Sequence, residues 1–274
     1  MSTRLRSFGL GLSLCLLSAT GGFAADWQVY DGFDYRTTEL EGSDGGAGAW
    51  QREWRRSARG GFTVSRPGLL YKDSKGQALR TSDGLITLDL DDSGGAYRDV
   101  TAPHGEGGAQ IIWCSFLAEL HGGPLDTAGD EMALQLRNKA DVALVTLGVM
   151  GRLNQWRIRV ENTQKQRAYS PGVRNVRPEE GHWIVCRIKI DPAADATDSV
   201  HLWIDPPLDR EPALADAANV LEGEDWWSGA DSFQLRRVRV GTLQSGRPKG
   251  KKMQFDELRL GTSFLSVAPM AATP

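Results

Sequence analysis

Two stretches of this chain decide how the rest is read: QIIWCSFLAEL at residues 110–120 and WIVCRIKI at residues 183–190. Side chains alternate between the two faces of a β-strand. In the first stretch Ile112, Cys114, Phe116, Ala118 and Leu120 share a face, and Trp113, Ser115 and Glu119 share the other. In the second, Ile184, Cys186, Ile188 and Ile190 lie opposite Trp183, Arg187 and Lys189. Each stretch therefore reads as a strand with one apolar, core-facing side, and both cysteines fall on that side.

The same period of two recurs along the chain, broken by Gly, Pro and Asp clusters. It predicts strands at 85–90, 110–120, 132–137, 143–150, 155–160, 183–190, 200–204, 233–240 and 253–260. Only PALADAANV, residues 212–220, reads as a helix, and a short one. Many short strands at this spacing predict an all-β fold, a two-sheet antiparallel jelly-roll sandwich. Glycine, at 32 of 274 residues, exceeds the usual ~7% without a collagen period, as a turn-rich β protein requires. No Gly-rich strand-to-helix phosphate loop appears, which argues against a nucleotide fold.

The first 24 residues read as a signal peptide. Arg4 and Arg6 form a basic start, residues 8–17 a short apolar run, and Gly22-Phe23-Ala24 a small-residue cleavage site. The run is too short to span about 30 Å of hydrocarbon. Residues 25–267 are then expected to form one domain, and 268–274 a disordered tail. Removing Arg4 and Arg6 takes the basic residues from 32 to 30 against 35 acidic, a net charge of −5. That argues against a nucleic-acid partner, which needs a basic surface. The expected location is secreted, periplasmic or cell-surface, with no membrane insertion once the signal is gone. Export leaves only Cys114 and Cys186, and an even pair in an oxidising compartment predicts a disulfide. It would close a loop of about 70 residues, worth on the order of 4 kcal/mol. Two buried free thiols are the alternative.

The faces opposite the core gather the candidate site. Trp113, Trp183 and Trp203 fall there with His201 and Arg187. A rigid aromatic surface with polar neighbours suits sugars, which present flat C–H faces as well as hydroxyls. A second candidate is Trp226-Trp227, within GEDWWSGAD at 223–231. Tryptophan is also highly buried on average, so these rings could instead seal the second side of the sheet. Residues 155–160 send Trp156, Ile158 and Val160 inward and Gln155, Arg157 and Arg159 outward. With Arg137, Arg187 and Lys189 these arginines would tint the same face basic and suit anionic glycans; routine pairing with the abundant surface carboxylates is the plainer reading of them.

IIWCSFLAEL (111–120), HWIVCRIKID (182–191) and DSVHLWIDPP (198–207), in that order, resemble the laminin-G-like and pentraxin branch of the concanavalin A-like lectin/glucanase jelly rolls. YDGFDY (30–35), GSDGGAGAW (42–50) and FDELRLGTSF (255–264) are similar to the opening and closing segments of secreted bacterial laminin-G-like proteins. The resemblance covers about residues 27–267. It implies neighbouring first and last strands and a bridge between Cys114 and Cys186. It makes calcium possible, although no calcium-ligand cluster is evident.

Catalytic signatures are scarce. Glucanases of this fold carry Glu-x-Asp-x-Glu on one strand, and the chain has no such string. Asp89 and Asp91 have the right period but run into a turn, and adjacent Asp256 and Glu257 should point to opposite faces. No G-x-S-x-G or H-E-x-x-H is present, and the four histidines lack metal-ligand spacing. The sequence therefore predicts a non-catalytic carbohydrate-binding module without an assigned cofactor. A hydrolase or lyase of the same fold, with His201 and Arg187 as base and cation, is the alternative. A cell-surface protein-interaction domain is the third reading.

Overall fold

The computed structural model describes residues 27–57, 61–89, 94–104, 110–123, 125, 131–151, 154–162, 164–191, 193, 195–227, 233–243 and 250–270. The signal segment and Asp91 lie outside them. Sixteen strands, numbered in chain order, form two antiparallel sheets among these residues. The first holds β1 (Gln28–Asp31), β2 (Ala47–Gly48), β4 (Phe62–Ser65), β5 (Leu85–Asp89), β7 (Gln110–His121), β12 (His182–Ile190), β13 (Thr197–Ile204), β14 (Asn219–Glu224) and β16 (Lys252–Gly261). The second holds β3 (Arg55–Arg56), β6 (Gly95–His104), β8 (Glu131–Arg137), β9 (Ala143–Met150), β10 (Gln155–Glu161), β11 (Arg167–Tyr169) and β15 (Leu235–Leu243).

The nine-stranded sheet runs β14-β13-β12-β7-β16-β1-β2, with β5 beside β16 and β4 beside β5. Strand β16 is paired with β7 along one edge, and β5 and β1 share the other. The first and last strands are therefore neighbours. The seven-stranded sheet runs β11-β10-β9-β8-β15-β6-β3. The architecture is the all-β jelly-roll sandwich that the alternation predicts.

Alternation also predicts the core. Ile112, Cys114, Phe116, Ala118 and Leu120 on β7 meet Ile184, Cys186, Ile188 and Ile190 on β12, and all belong to the layer between the sheets. Trp156, Ile158 and Val160 of β10 enter it from the other side. A second apolar cluster lies outside the nine-stranded sheet, around Trp113, Trp183 and Trp203. The middle of the nine-stranded sheet, at β7, β12 and β13, is thus buried on both faces.

Several expectations need correction. The helix at 212–220 reduces to a single 3-10 turn at Leu214–Asp216, and Asn219 and Val220 begin β14. Residues 268–270 do not hang free. Ala268 is buried, the Arg80 N–H donates to the Pro269 carbonyl at 2.8 Å, and Leu79 bridges Met270. They continue α1 (Phe264–Val267), whose Phe264 and Val267 are buried.

The expected Cys114–Cys186 disulfide is absent, and both thiols are free and buried. They do lie directly opposite in register on adjacent strands. Opposed side chains in an antiparallel pair keep Cβ atoms about 4.5–5.5 Å apart, whereas a disulfide wants about 3.8 Å. Both strands are hydrogen-bonded on both sides, so the backbone cannot close that gap freely. Burial holds both thiols well above the usual thiol range, and they pack as small hydrophobes.

One buried polar network ties the opening of the chain to the seven-stranded sheet. Asp31 accepts hydrogen bonds from the Trp54 indole at 2.8 Å, the Arg98 guanidinium at 3.0 Å, Tyr35 Oη and the Phe33 N–H. Arg98 also donates to the carbonyls of Asp44 and Gly45. Asp31 and Arg98 are both almost fully buried. Removing one partner strands the other charge, which costs about 3–5 kcal/mol. Asp31→Ala should therefore lower the unfolding free energy by that amount in a urea titration. A loss under 1 kcal/mol would contradict the network's role.

Candidate carbohydrate-binding face

The tryptophan face is assembled as the sequence predicts, but it is closed. Trp113, Trp183 and Trp203 are 2%, 0% and 2% exposed. Tyr71, Leu79, Leu208 and the α1 residues Phe264 and Val267 roof them. Trp113 stacks on Trp203 at 5.7 Å, meets Phe264 edge-on at 5.5 Å, and Tyr71 lies 5.5 Å from Trp183. Asp73 holds the roof in place. It accepts from the N–H groups of Lys75 and Gln77 at 2.9 Å and of Leu208 at 3.2 Å.

Arg187 is opposed to Trp113 on one side and to His201 on the other. His201 is 6% exposed and stacks on Trp203 at 5.9 Å. Burial and then the Arg187 charge lower its pKa, so its imidazole is neutral at pH 7. A histidine so enclosed cannot meet a polymer, which removes the His201/Arg187 lyase pair. Trp227 is buried against Phe233 at 4.9 Å in the main core. Trp226 is half-buried and lies flat over Gly223, where a Cβ would fall 2.3 Å from its ring. Neither ring is an open platform. Trp113, Trp183, Trp203, His201 and Trp227 are therefore packing groups, and Arg187 and Trp226 are half-buried beside them.

The predicted basic face also divides. Arg187 and Lys189 belong to β12, whereas Arg137, Arg157 and Arg159 belong to the other sheet. The second group becomes part of a larger array. Register places Arg55, Tyr97, Arg239, Gln135, Thr146, Arg159 and Tyr169 in one row across all seven strands. The row lies on the outer face, because Val238, Val240, Leu134, Leu136, Ile158 and Val160 take the inner positions.

Hydrogen bonds hold these side chains in fixed poses. Arg159 donates to Glu131 and, at 3.0 Å, to Thr146 Oγ1. Gln135 donates to Glu131 at 3.2 Å and accepts from Arg239 at 3.1 Å and from Arg137. Arg237 donates to Asp99 at 2.8 Å and sits 3.9 Å above the Tyr97 ring. Gly95 leaves room for Arg239, whose Nε occupies the space of a Cβ. Burial, then the Arg137 charge, hold Arg239 below the usual guanidinium range. Burial raises the Glu131 carboxyl despite the opposing pull of Arg159.

Two donors in this array are unused. The Nε atoms of Arg157 and Arg159 are buried and have no hydrogen-bond partner. A buried donor without a partner costs free energy and calls for an explanation. Arg157 and Arg239 are themselves half-buried, and a guanidinium with an accessible edge can bind an anion through charge-assisted bonds. Among the described residues no group of three or more His, Cys, Asp and Glu side chains could hold a metal ion.

The sequence reading noticed Arg137, Arg157 and Arg159 but missed Arg55, Tyr97, Gln135, Thr146, Tyr169, Arg237 and Arg239. The period-two arginines of LRRVRV (235–240) and the QLR of 135–137 carried the signal.

No protein-family model matches the chain, and no curated protein does. Among solved structures it is similar to an endo-beta-1,4-glucuronan lyase from the fungus Trichoderma reesei, at 17% identity, 80% of this chain, 94% of that one and a TM-score of 0.47. It is also similar to the globular domain of T. cruzi calreticulin, at 12% identity, 77% and 84% coverage and a TM-score of 0.45. The receptor binding domain of botulinum neurotoxin D matches at 9% identity, 74% and 44% coverage and a TM-score of 0.42.

The closed roof makes a direct spectroscopic prediction. Trp54, Trp113, Trp156, Trp183, Trp203 and Trp227 are at most 2% exposed, while Trp27, Trp50 and Trp226 are half-buried. Emission of the folded chain should be blue-shifted, with iodide quenching only a minority of it. Quenching of most of the emission would mean that the roof is open.

Proposed function

We propose that this chain is a carbohydrate-binding module outside the cytoplasm, and that it binds anionic polysaccharide across the outer face of the seven-stranded sheet. The observation that carries this reading is the set of half-buried arginines, Arg55, Arg157 and Arg239, on the outer face of one sheet beside Tyr97. The finer kinship we favour is the laminin-G-like branch, on the order and spacing of the sequence motifs.

Strand spacing sets the scale of the ligand. Strands lie about 4.8 Å apart, so a row crossing seven of them is about 29 Å long. Arg55, Arg239 and Arg159 occupy β3, β15 and β10 of that row. Their backbones are therefore about 10 Å and about 14 Å apart. A polymer with acidic groups at a regular repeat meets such an array better than a single small anion. Tyr169, exposed at the β11 end of the row, offers a ring face to sugar C–H groups, and Tyr97 lies between Arg55 and Arg239 with one face under Arg237. A polyuronate satisfies both requirements.

A second reading has one supporting observation. Tyr97 stands beside Arg239, which is hydrogen-bonded to Gln135. A phenol next to a guanidinium able to neutralise a carboxylate suits β-elimination, and unsaturated products released from a polyuronate would establish it.

The binding reading is tested by calorimetric titration of the mature chain with polygalacturonate, alginate and neutral xylan. The polyuronates should bind, xylan should not, and added salt should weaken binding by screening. Arg157→Ala and Arg239→Ala should each weaken binding roughly tenfold to a hundredfold, the worth of one charge-assisted hydrogen bond at about 1.5–3 kcal/mol. Equal affinity for xylan, or no effect of either substitution, would overturn the reading. Failure on every glycan would favour a protein-interaction domain.

A further inference from the structure

A separate cavity of about 600 Å³ lies beyond the other sheet, between β1, residues 80–82 and α1. Its lining includes Tyr30, Arg259, Arg80 and Ser82 on the polar side, with Leu265 and Pro269 as an apolar wall. We propose that this cavity binds a small organic carboxylate, with its carboxylate toward Arg259 and Arg80 and its carbon skeleton against Tyr30 and Leu265.

The floor is built by an irregularity in β16. The register with β7 shifts between Asp256 and Arg259, and Glu257 takes a left-handed φ of 55°. A glutamate in that region is uncommon. Bulges of this kind re-aim side chains. Phe255 and Leu258 both enter the core, so Asp256 and Glu257 leave by the same face rather than by opposite ones. Asp256 Oδ2 accepts the Leu69 N–H at 2.7 Å, and Glu257 accepts from Ser82 N–H and, at 3.3 Å, from Tyr30 Oη. Arg259 donates to Glu257 and lies 4.9 Å over the Tyr30 ring.

The charge of the floor favours an anion. Burial, then Glu257, push Asp256 up to about 9, so it is neutral at pH 7. Burial raises the Tyr30 phenol to about 12, which keeps its proton in place. Glu257 offsets Arg259, and Arg80 is left exposed at the rim as a surplus cation. The second Arg259 terminal nitrogen, Nη1, has only a long contact of 3.4 Å to the Glu257 carbonyl. Guanidinium forks match carboxylates. Leu265 is 74% exposed, an apolar side chain on the wall of the cavity. The volume falls within the ~300–1,000 Å³ of small-molecule sites.

The test is a titration of the mature chain with sodium hexanoate and sodium glucuronate, using uncharged hexanol and glucose as controls and NMR chemical shifts as readout. At least one carboxylate should bind saturably, and its uncharged partner should not. Arg80→Ala changes an exposed side chain and should weaken that binding at least tenfold. Leu265→Asp should do the same by placing a like charge on the wall. Arg157→Ala should leave it unchanged. Neither carboxylate binding, equal binding of the uncharged partner, or loss in Arg157→Ala with retention in Arg80→Ala would overturn the proposal. Polysaccharide binding at the arginine row does not depend on Arg80, so the two readings fail separately.

Discussion

The burial of the middle of the nine-stranded sheet on both faces governs the rest of the molecule. The outer face of β7, β12 and β13 carries three tryptophans, too much apolar surface to leave in water. The chain covers it with Tyr71, Leu79, Leu208 and α1. Asp73 makes the cover possible by satisfying backbone donors that the roof loops would otherwise bury without partners. With that face committed to packing, the outer face of the seven-stranded sheet is left to carry polar and charged side chains.

The two faces solve opposite physical problems. On the roofed face, aromatic stacking excludes water, and the imidazole of His201 is held neutral. On the other face, guanidinium groups are crowded, fixed by Glu131, Gln135 and Asp99, and left with spare donors. A network whose members are only partly satisfied is costly unless something else completes it. On the proposed function an anionic ligand meets the half-buried Arg157 and Arg239 of this face.

Much of the fold was legible, and for a clear reason. Alternation over 110–120, 155–160 and 183–190 assigns each side chain to a face, and every inward assignment there holds. What alternation lacks is sheet membership. Arg157 and Arg187 have the same local pattern, yet they lie on different sheets because β10 and β12 do. The roof was illegible because LLYKDSKGQAL at 69–79 has no period, so nothing marked Tyr71 and Leu79 as apolar partners of the tryptophans. Strand β6 was hidden by Arg98, a charged residue between inward Ala96 and Val100 that is tolerated because Asp31 pairs with it. The bulge at Glu257 defeated the expectation for Asp256 and Glu257, since one extra residue reverses the phase of alternation.

The central claim is that the ligand face is the arginine row and not the tryptophan face. Arginine modification by phenylglyoxal, mapped by mass spectrometry with and without polygalacturonate, separates the two directly. Arg157 and Arg239 should be protected by the polymer, while Arg187 should react at the same rate in both conditions. Protection of Arg187 with none at Arg157 and Arg239 would contradict the account and return the binding site to the tryptophan face.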